Sequence, residues 1–262
     1  MKKKNKKIAI ILFILFILLI AFFIYNINKN IIEKFNINNL SENNLKTYFI
    51  NLDEHIDRWN INKNKINNMI RFNAIHGKNV DNSNLKKNGI LNNIHELLPG
   101  QLGCALSHIS VMNLIKNQKE EYGLILEDDV IIPDNFELIF NNLIKNFPKK
   151  WDIIFLGGCN IYGKKYNDNF IIPLDNNGSK NLCMHAVLLN KNNVDKIINL
   201  LQPLYRPIDS QLREYFDTLD VFYAFPNIIN QNKNLISNRR IIDGLPQSKY
   251  WKENHLNIEI IE

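Results

Sequence analysis

The sequence predicts an α/β domain with a mainly parallel sheet flanked by helices, preceded by one N-terminal transmembrane helix. Three observations predict it. Tyr122–Leu126 and Trp151–Leu156 are short, bulky apolar runs without alternating polarity, the pattern of strands buried on both faces. Segments of helical periodicity, Gln101–Asn117, Asn135–Phe147 and Asn192–Leu201, lie between and beyond those runs, and strands alternating with helices favour parallel pairing. Ile8–Tyr25 carries no charged or strongly polar side chain, and as a helix it spans roughly 27 Å, enough for a bilayer core.

Lys2, Lys3, Lys4, Lys6 and Lys7 precede that apolar run, and the positive-inside bias keeps the amino terminus cytoplasmic. A cleaved signal peptide is the competing reading, but the run is long for one and no small-x-small cleavage site follows it. The expected layout is a basic cytoplasmic tail (1–7), a signal anchor (8–25), a polar stem (26–45) and a domain on the far side of the membrane (46–262). The protein is then single-pass and type II, its domain lumenal, ER- or Golgi-like, in a eukaryotic or viral setting. Charge follows the same partition. The chain is +6 overall, and those five lysines with Lys29 supply that excess before the first acid, Glu33. The rest is neutral, so a pI near 9.0 marks topology and no nucleic-acid surface.

Within the domain, Thr47–Leu52 reads as the first strand, and Asp57–Asn68 as a helix with Ile61 and Ile66 on its apolar side. Arg71–Ile75 is a second strand closed by Gly77, and Lys78–Asn93 an Asn-rich loop. Pro99 and Gly100 punctuate the start of the helix Gln101–Asn117. Asn135–Phe147 sets Phe136, Ile139, Phe140, Leu143 and Ile144 at helical spacing. Leu182–Leu189 and Leu219–Ala224 complete the strands, and Ser210–Phe216 is a further short helix. No internal repeat is present.

The strand Tyr122–Leu126 ends abruptly in three acids, Glu127, Asp128 and Asp129. Ligands of open α/β sheets bind in the crevice beyond the carboxyl ends of the strands. Alternation along a strand sends Glu127 and Asp129 to one side and Asp128 to the other, so two carboxylates converge. Oxygen-only ligands suit a hard cation, Mg²⁺ or Mn²⁺, whose shell substrate phosphates and water complete. For an isolated triplet, a solvated turn before Pro133 explains the same residues.

Four further segments change that balance. FINLDEHIDRW (Phe49–Trp59), RFNAIHG (Arg71–Gly77), LLPGQLGCALSHISV (Leu97–Val111) and CMHAVLLNKNNVDKII (Cys183–Ile198) with PIDSQL (Pro207–Leu212) flank the acids in order. Together with LILEDDV they resemble glycosyltransferase family 25, which includes bacterial lipooligosaccharide galactosyltransferases and procollagen galactosyltransferases. His76 departs from the pattern, which usually has an acid there. The resemblance covers most of Thr47–Pro226. It implies a GT-A-like, Rossmann-like fold and transfer of a hexose, galactose before glucose, from a UDP-sugar donor to a hydroxyl of a glycan or glycoprotein acceptor.

On this resemblance Asp129 is the foremost metal ligand, with Glu127 as its partner or a donor contact and Asp128 the weakest of the three. A Mn²⁺ or Mg²⁺ ion clamped there would stabilise the diphosphate leaving group as a Lewis acid. Arg58 is placed to reach diphosphate or uracil oxygens, although an exposed arginine at a helix start explains it equally well. Asn51 and Leu52 end the first strand and are expected to shape the nucleotide pocket. Gly103 allows a close approach of the helix start, and Ser107 and His108 contact donor or support the acids. Cys104 and His108, one turn apart, are too few for a zinc site. Asp209 is the candidate base of an inverting transfer, or else the N-cap of the helix beside it. His185 reads as a satisfied buried histidine.

Three cysteines, Cys104, Cys159 and Cys183, form no dense disulfide framework. Buried thiols are the default expectation, with a Cys159–Cys183 bridge as the alternative in an oxidising lumen. Two sequons, Asn39-Leu40-Ser41 and Asn177-Gly178-Ser179, matter only if the domain is lumenal. Beside the transferase stands a second class, a membrane-tethered carbohydrate-binding module of the same fold without turnover. A metal-dependent phosphodiesterase would bring more His and Asp ligands than this chain offers.

Overall fold

The computed structural model describes residues 20, 22, 25, 44–174, 180–232, 234–235, 238–245 and 257–261. The chain divides into two compact units, Met1–Asn43 and Asn44–Glu262. In the first, the described Ile20, Phe22 and Tyr25 are helical and exposed. The rest of the expected membrane segment, the stem up to residue 43 and both sequons lie outside the described residues, and the last expected stem residue, Leu45, already opens the first strand. Among the described residues no helix is long and apolar enough to cross a membrane.

Among the described residues the second unit is built on a sheet of nine strands. In chain order they are β1 (Leu45–Asn51), β2 (Ile70–Asn73), β3 (Tyr122–Glu127), β5 (Ile153–Cys159), β6 (Ile161–Asn167), β7 (Phe170–Pro173), β8 (Leu182–Asn190), β9 (Val221–Ala224) and β11 (Ile258–Ile261). Their order across the sheet is β11-β6-β7-β9-β5-β8-β3-β1-β2. A separate ribbon pairs β4 (Val130–Ile131) with β10 (Asn230–Gln231). The expectation of a mainly parallel sheet holds for strand direction, since only β7 and β8 run against the rest. Because β8 lies between β3 and β5, the pairings in the centre of the sheet are nevertheless antiparallel.

Among the described residues seven α-helices accompany the strands: α1 (Ile56–Asn62), α2 (Asn82–Lys87), α3 (Pro99–Asn117), α4 (Phe136–Ile144), α5 (Val194–Leu201), α6 (Ile208–Arg213) and α7 (Asn238–Ile242). Helix α3 starts where Pro99, already fixed in φ and lacking an N–H to satisfy, fits the first turn. Gln101 Oε1 then accepts from the Leu98 amide at 3.1 Å. Along α3, Leu102, Ala105, Leu106, Ile109, Met112 and Ile115 are buried against one sheet face, together with Tyr48, Ile50, Ile125, Val187 and Tyr223. The alternate strand residues Phe49, Leu124 and Leu126 are buried outside that cluster, as a period of two demands. Phe49 meets Trp59 of α1 at 5.6 Å between ring centroids. An aromatic series joins Phe140 of α4 to Phe147, and Phe147 to Trp151 and to Phe170 of β7. Helices therefore cover both faces of the sheet.

Helix α1 ends at Asn62, six residues before the expected end. Ile61 is exposed, and Ile66 is buried from the turn beyond the helix. The segment expected as a loop, Lys78–Asn93, contains α2, capped by Asp81 accepting from the Ser83 and Asn84 amides. The β6–β7 hairpin, β11 and α7 had no counterpart in the sequence reading.

Candidate active site

Register places the acids. Phe49 pairs with Leu126 and Ile50 with Glu127, so β1 and β3 end side by side. Strand β3 stops at Glu127, and Asp128 and Asp129 form a turn before β4. Side-chain alternation therefore does not carry through the triplet, and all three acids line one cleft. The cleft holds about 540 Å³ open to solvent, and its walls include Leu52, Gly103, Cys104, Ser107, His108 and Asn238.

Asp128, ranked weakest of the three as a ligand, is the most firmly held by protein donors. Its carboxylate accepts from Asn51 Nδ2 at 2.8 Å, from Arg58 at 3.0 Å and from Asn238 Nδ2 at 2.9 Å. Burial pushes this carboxyl up despite the pull of Arg58 and Asn51. Asp129 is buried as well, and Gln231 Nε2 donates to its Oδ2 at 2.9 Å. Its Oδ1 is buried with no hydrogen-bond partner among the described residues. Burial, reinforced by the charges of Glu127 and Asp128, pushes the Asp129 carboxyl up to about 8. Glu127 is partly exposed, and its Oε1 lies 3.0 Å from His108 Nε2.

This arrangement fits a divalent cation. A buried carboxylate oxygen on Asp129 without a hydrogen-bond partner among the described residues, beside two further carboxylates of which Asp128 takes the Arg58 guanidinium, is a costly set of charges that a cation relieves. Glu127 and Asp129 have oxygens at the cleft, whereas the oxygens of Asp128 are engaged by Asn51, Arg58 and Asn238.

Asn51 and Arg58 stand behind Asp128 and are not among the residues lining the cleft. Asn51 Nδ2 also donates to the His55 carbonyl, and its Oδ1 accepts from Arg71 at 2.9 Å. Leu52 does reach the cleft wall. Ser107 is fully enclosed, donating to the Gly103 carbonyl at 2.7 Å and accepting from the Ile75 amide at 2.8 Å. Gly103 is needed for the same close approach: a Cβ there would stand 2.4 Å from the Ile75 carbonyl oxygen.

The sequence profile of glycosyltransferase family 25, described as an LPS biosynthesis protein family, matches residues 44–212. The chain belongs to glycosyltransferase family 25. The matched stretch contains β1, α3, β3 with its acids, and Asp209, so this glycosyltransferase carries the family's region around the cleft just described. A comparison with curated proteins finds no match. Among solved structures it is similar to a Streptococcus pneumoniae glycosyltransferase at 10% identity and TM-score 0.37, over 74% of this chain and 54% of that one. It is also similar to a 4-diphosphocytidyl-2C-methyl-D-erythritol synthase from Anaerococcus prevotii, at 11% identity and TM-score 0.37 over 76% and 94%. A Bacillus anthracis putative glucose-1-phosphate thymidylyltransferase matches at 10% identity and TM-score 0.38 over 78% and 98%.

In this glycosyltransferase Asp209 is not in the cleft wall. It lies in the first turn of α6, whose N-cap position is Pro207, so Asp209 is not the N-cap either. Its Oδ1 accepts from the Ser210 amide at 2.8 Å and its Oδ2 from the Cys183 amide at 3.4 Å. Cys183 is bonded to Cys159, the bridge that the sequence offered only as the alternative to buried thiols. The antiparallel course of β8 brings the start of β8 to the end of β5, which is why two cysteines distant in sequence meet. Both sulfurs lie within 3.9 Å of Gln231 Oε1, so the disulfide backs the side chain that holds Asp129. His185 Nε2 meets the Ile229 carbonyl at 3.1 Å, as a buried histidine should.

Sequence reasoning missed Gln231, Asn238 and Asp243. Asp243 Oδ1 accepts from the Gly100 amide at 2.6 Å, tying the segment after α7 to the first turn of α3. All three lie past the last recognisable motif, where the chain is polar and without period.

Proposed function

We propose that this glycosyltransferase transfers a hexose, galactose before glucose, from a UDP-sugar to a hydroxyl of a glycan or glycoprotein acceptor, with inversion and with Mn²⁺ or Mg²⁺ assistance. The observation that carries the reading is the carboxylate triplet at one cleft, with a buried oxygen on Asp129 that has no partner among the described residues. A divalent ion bound there supplies Lewis-acid stabilisation of the negative charge on the departing diphosphate.

The chain's own residues prepare that site. Asp129 and Glu127 supply oxygen ligands, and Gln231 fixes the Asp129 carboxylate by one of its two oxygens. Asn51, Arg58 and Asn238 hold Asp128 and, through it, the turn on which Asp129 stands. Leu52 and Ile75 give the cleft an apolar wall on which a nucleotide base can lie. His108 orients Glu127. Asp209, held at the disulfide on the far side of Gln231, is the proposed base for the acceptor hydroxyl.

The proposed setting is a type II membrane protein with its domain in an oxidising lumen. The Cys159–Cys183 bridge supports that compartment, because disulfides persist where thiols are not kept reduced. The basic tail before Ile8 supports the orientation.

Incubating the full-length protein in detergent with Mn²⁺ and a panel of UDP-sugars, and scoring UDP release from each, tests the reading. EDTA-sensitive release from one donor is expected. Sugar binding without release from any donor would replace the transferase by a non-catalytic carbohydrate-binding module.

A further inference from the structure

Helix α3 sets Cys104 and His108 one turn apart on the face that meets the end of β3. Glu127 stands opposite both. The same Glu127 Oε1 is 3.0 Å from His108 Nε2 and 3.9 Å from Cys104 Sγ, and the three ligand atoms lie within 4.8 Å of one another. All three residues line the cleft. In the sequence the cysteine and histidine were only a pair; the fold supplies the third ligand.

We propose that Cys104, His108 and Glu127 form a second cation site, for a thiophilic divalent ion of the Zn²⁺ class, with its fourth position open to the cleft. The donor set decides the class. Thiolate and imidazole select zinc-like ions, whereas Mg²⁺ keeps to oxygen and dehydrates reluctantly. In a tetrahedral zinc site, ligand atoms about 2.0–2.3 Å from the ion stand roughly 3.3–3.6 Å from each other. The separations of 3.0 and 3.9 Å from Glu127 bracket that range and the Cys104–His108 pair stands within 4.8 Å, so local side-chain adjustment brings the three atoms onto one ion. Charge also balances. One thiolate and one carboxylate neutralise a dication, so the partly buried centre carries no net charge.

On binding, the Cys104 S–H proton leaves to solvent as the sulfur–metal bond forms. The neutral His108 ring binds through Nε2 with its proton on Nδ1, and Glu127 exchanges its contact with His108 for the ion. Occupancy takes Glu127 away from the acid triplet and fills part of the cleft. Zn²⁺ therefore suppresses turnover, and a Zn²⁺-selective chelator used with Mn²⁺ in excess restores it. That consequence rests on the transferase reading, whereas capture of the ion does not.

The test uses the full-length protein and needs neither sugar nor acceptor. Titration with Co²⁺ is expected to give a near-ultraviolet thiolate-to-cobalt charge-transfer band that Zn²⁺ removes and Mg²⁺ does not. Cys104→Ser abolishes the band, and Glu127→Gln weakens Co²⁺ binding by at least about 10–100-fold, the range seen for the less direct outer-shell ligand partners. Cys104 is the one cysteine outside the disulfide, so alkylation reports on it alone in the unmutated chain. Saturating Zn²⁺ blocks that alkylation. Absence of the band, or alkylation that proceeds equally with and without Zn²⁺, overturns the site whatever the outcome of the UDP-release assay.

Discussion

Arg58 donates to Asp128 at 3.0 Å from 70 residues away in sequence, and both side chains are buried. The pair locks the helix after β1 to the turn after β3. An arginine free to reach diphosphate would sit at the cleft wall, and this one is behind it. Removing one partner of a buried ion pair leaves the other charge uncompensated, at a cost of about 3–5 kcal/mol. Arg58→Met is therefore expected to lower unfolding free energy by that amount in guanidinium titration. A loss below about 1 kcal/mol, the range of exposed pairs, would show that the pair does not brace the turn.

The pH dependence of stability follows from Asp129. Its carboxyl is raised to about 8 in the fold, against about 3.9 in an unfolded chain. Between those values the unfolded chain releases the proton while the native state keeps it. The native state is thus fully favoured below about pH 4 and loses stability as pH rises through the window to about 8. In EDTA the melting temperature is expected to fall from about pH 5 to about pH 8, and Asp129→Asn to flatten that fall while abolishing transfer. An Asn variant as pH-sensitive as the parent would remove Asp129 as the cause. Mn²⁺ added at the upper end of the window is expected to restore stability to the parent and not to the variant.

What the sequence made legible and what it concealed divide along one physical line. Placements set by local pattern were readable: the buried strand before the acids, Gly103 and His108 on α3, and Leu52 at a strand end, whereas Ser107, expected at the donor or the acids, bonds Gly103 and Ile75. That Asp128 faces the same cleft as its neighbours was missed because alternation was extended past Glu127, where the strand has already become a turn. Gln231 and Asn238 were invisible for another reason. Each supplies one amide to an acid more than 100 residues earlier, a contact that leaves no trace in periodicity or composition. The default of buried thiols at Cys159 and Cys183 was overturned because the direction of β8, which joins the two cysteines, is a property of the sheet and not of either segment.

The Cys159–Cys183 bridge joins residues 24 apart. Closing a loop of that length restricts the unfolded chain by about 3 kcal/mol in the chain-entropy account. Reductant is expected to shift the urea midpoint of the full-length protein downwards accordingly, and Cys159→Ala with Cys183→Ala to do the same without reductant. Because both sulfurs back Gln231, turnover at a fixed Mn²⁺ concentration should fall as well. An unchanged midpoint under reductant would show that the bridge contributes nothing to holding β5 against β8.

Asp209 is where geometry and proposal press hardest on each other. Its two oxygens accept from Ser210 and from the Cys183 amide, and Cys183 has a positive φ of 74°, a conformation that a β-carbon disfavours. A carboxylate holding that amide steadies the start of β8, which is work enough for a structural residue. Yet the same contact places Asp209 next to the disulfide, and Gln231 joins the disulfide to Asp129. Asp209→Asn separates the two roles. The amide oxygen of asparagine can still accept from Cys183 or Ser210, so fold and donor binding are expected to survive, while a carboxamide cannot take a proton from the acceptor hydroxyl. As a base, Asp209 should cost about 10²–10⁴-fold in kcat when replaced, with UDP-sugar affinity by calorimetry unchanged. If kcat holds and the melting temperature drops, Asp209 is the clamp of the β8 start and the base must be sought among residues of the cleft wall.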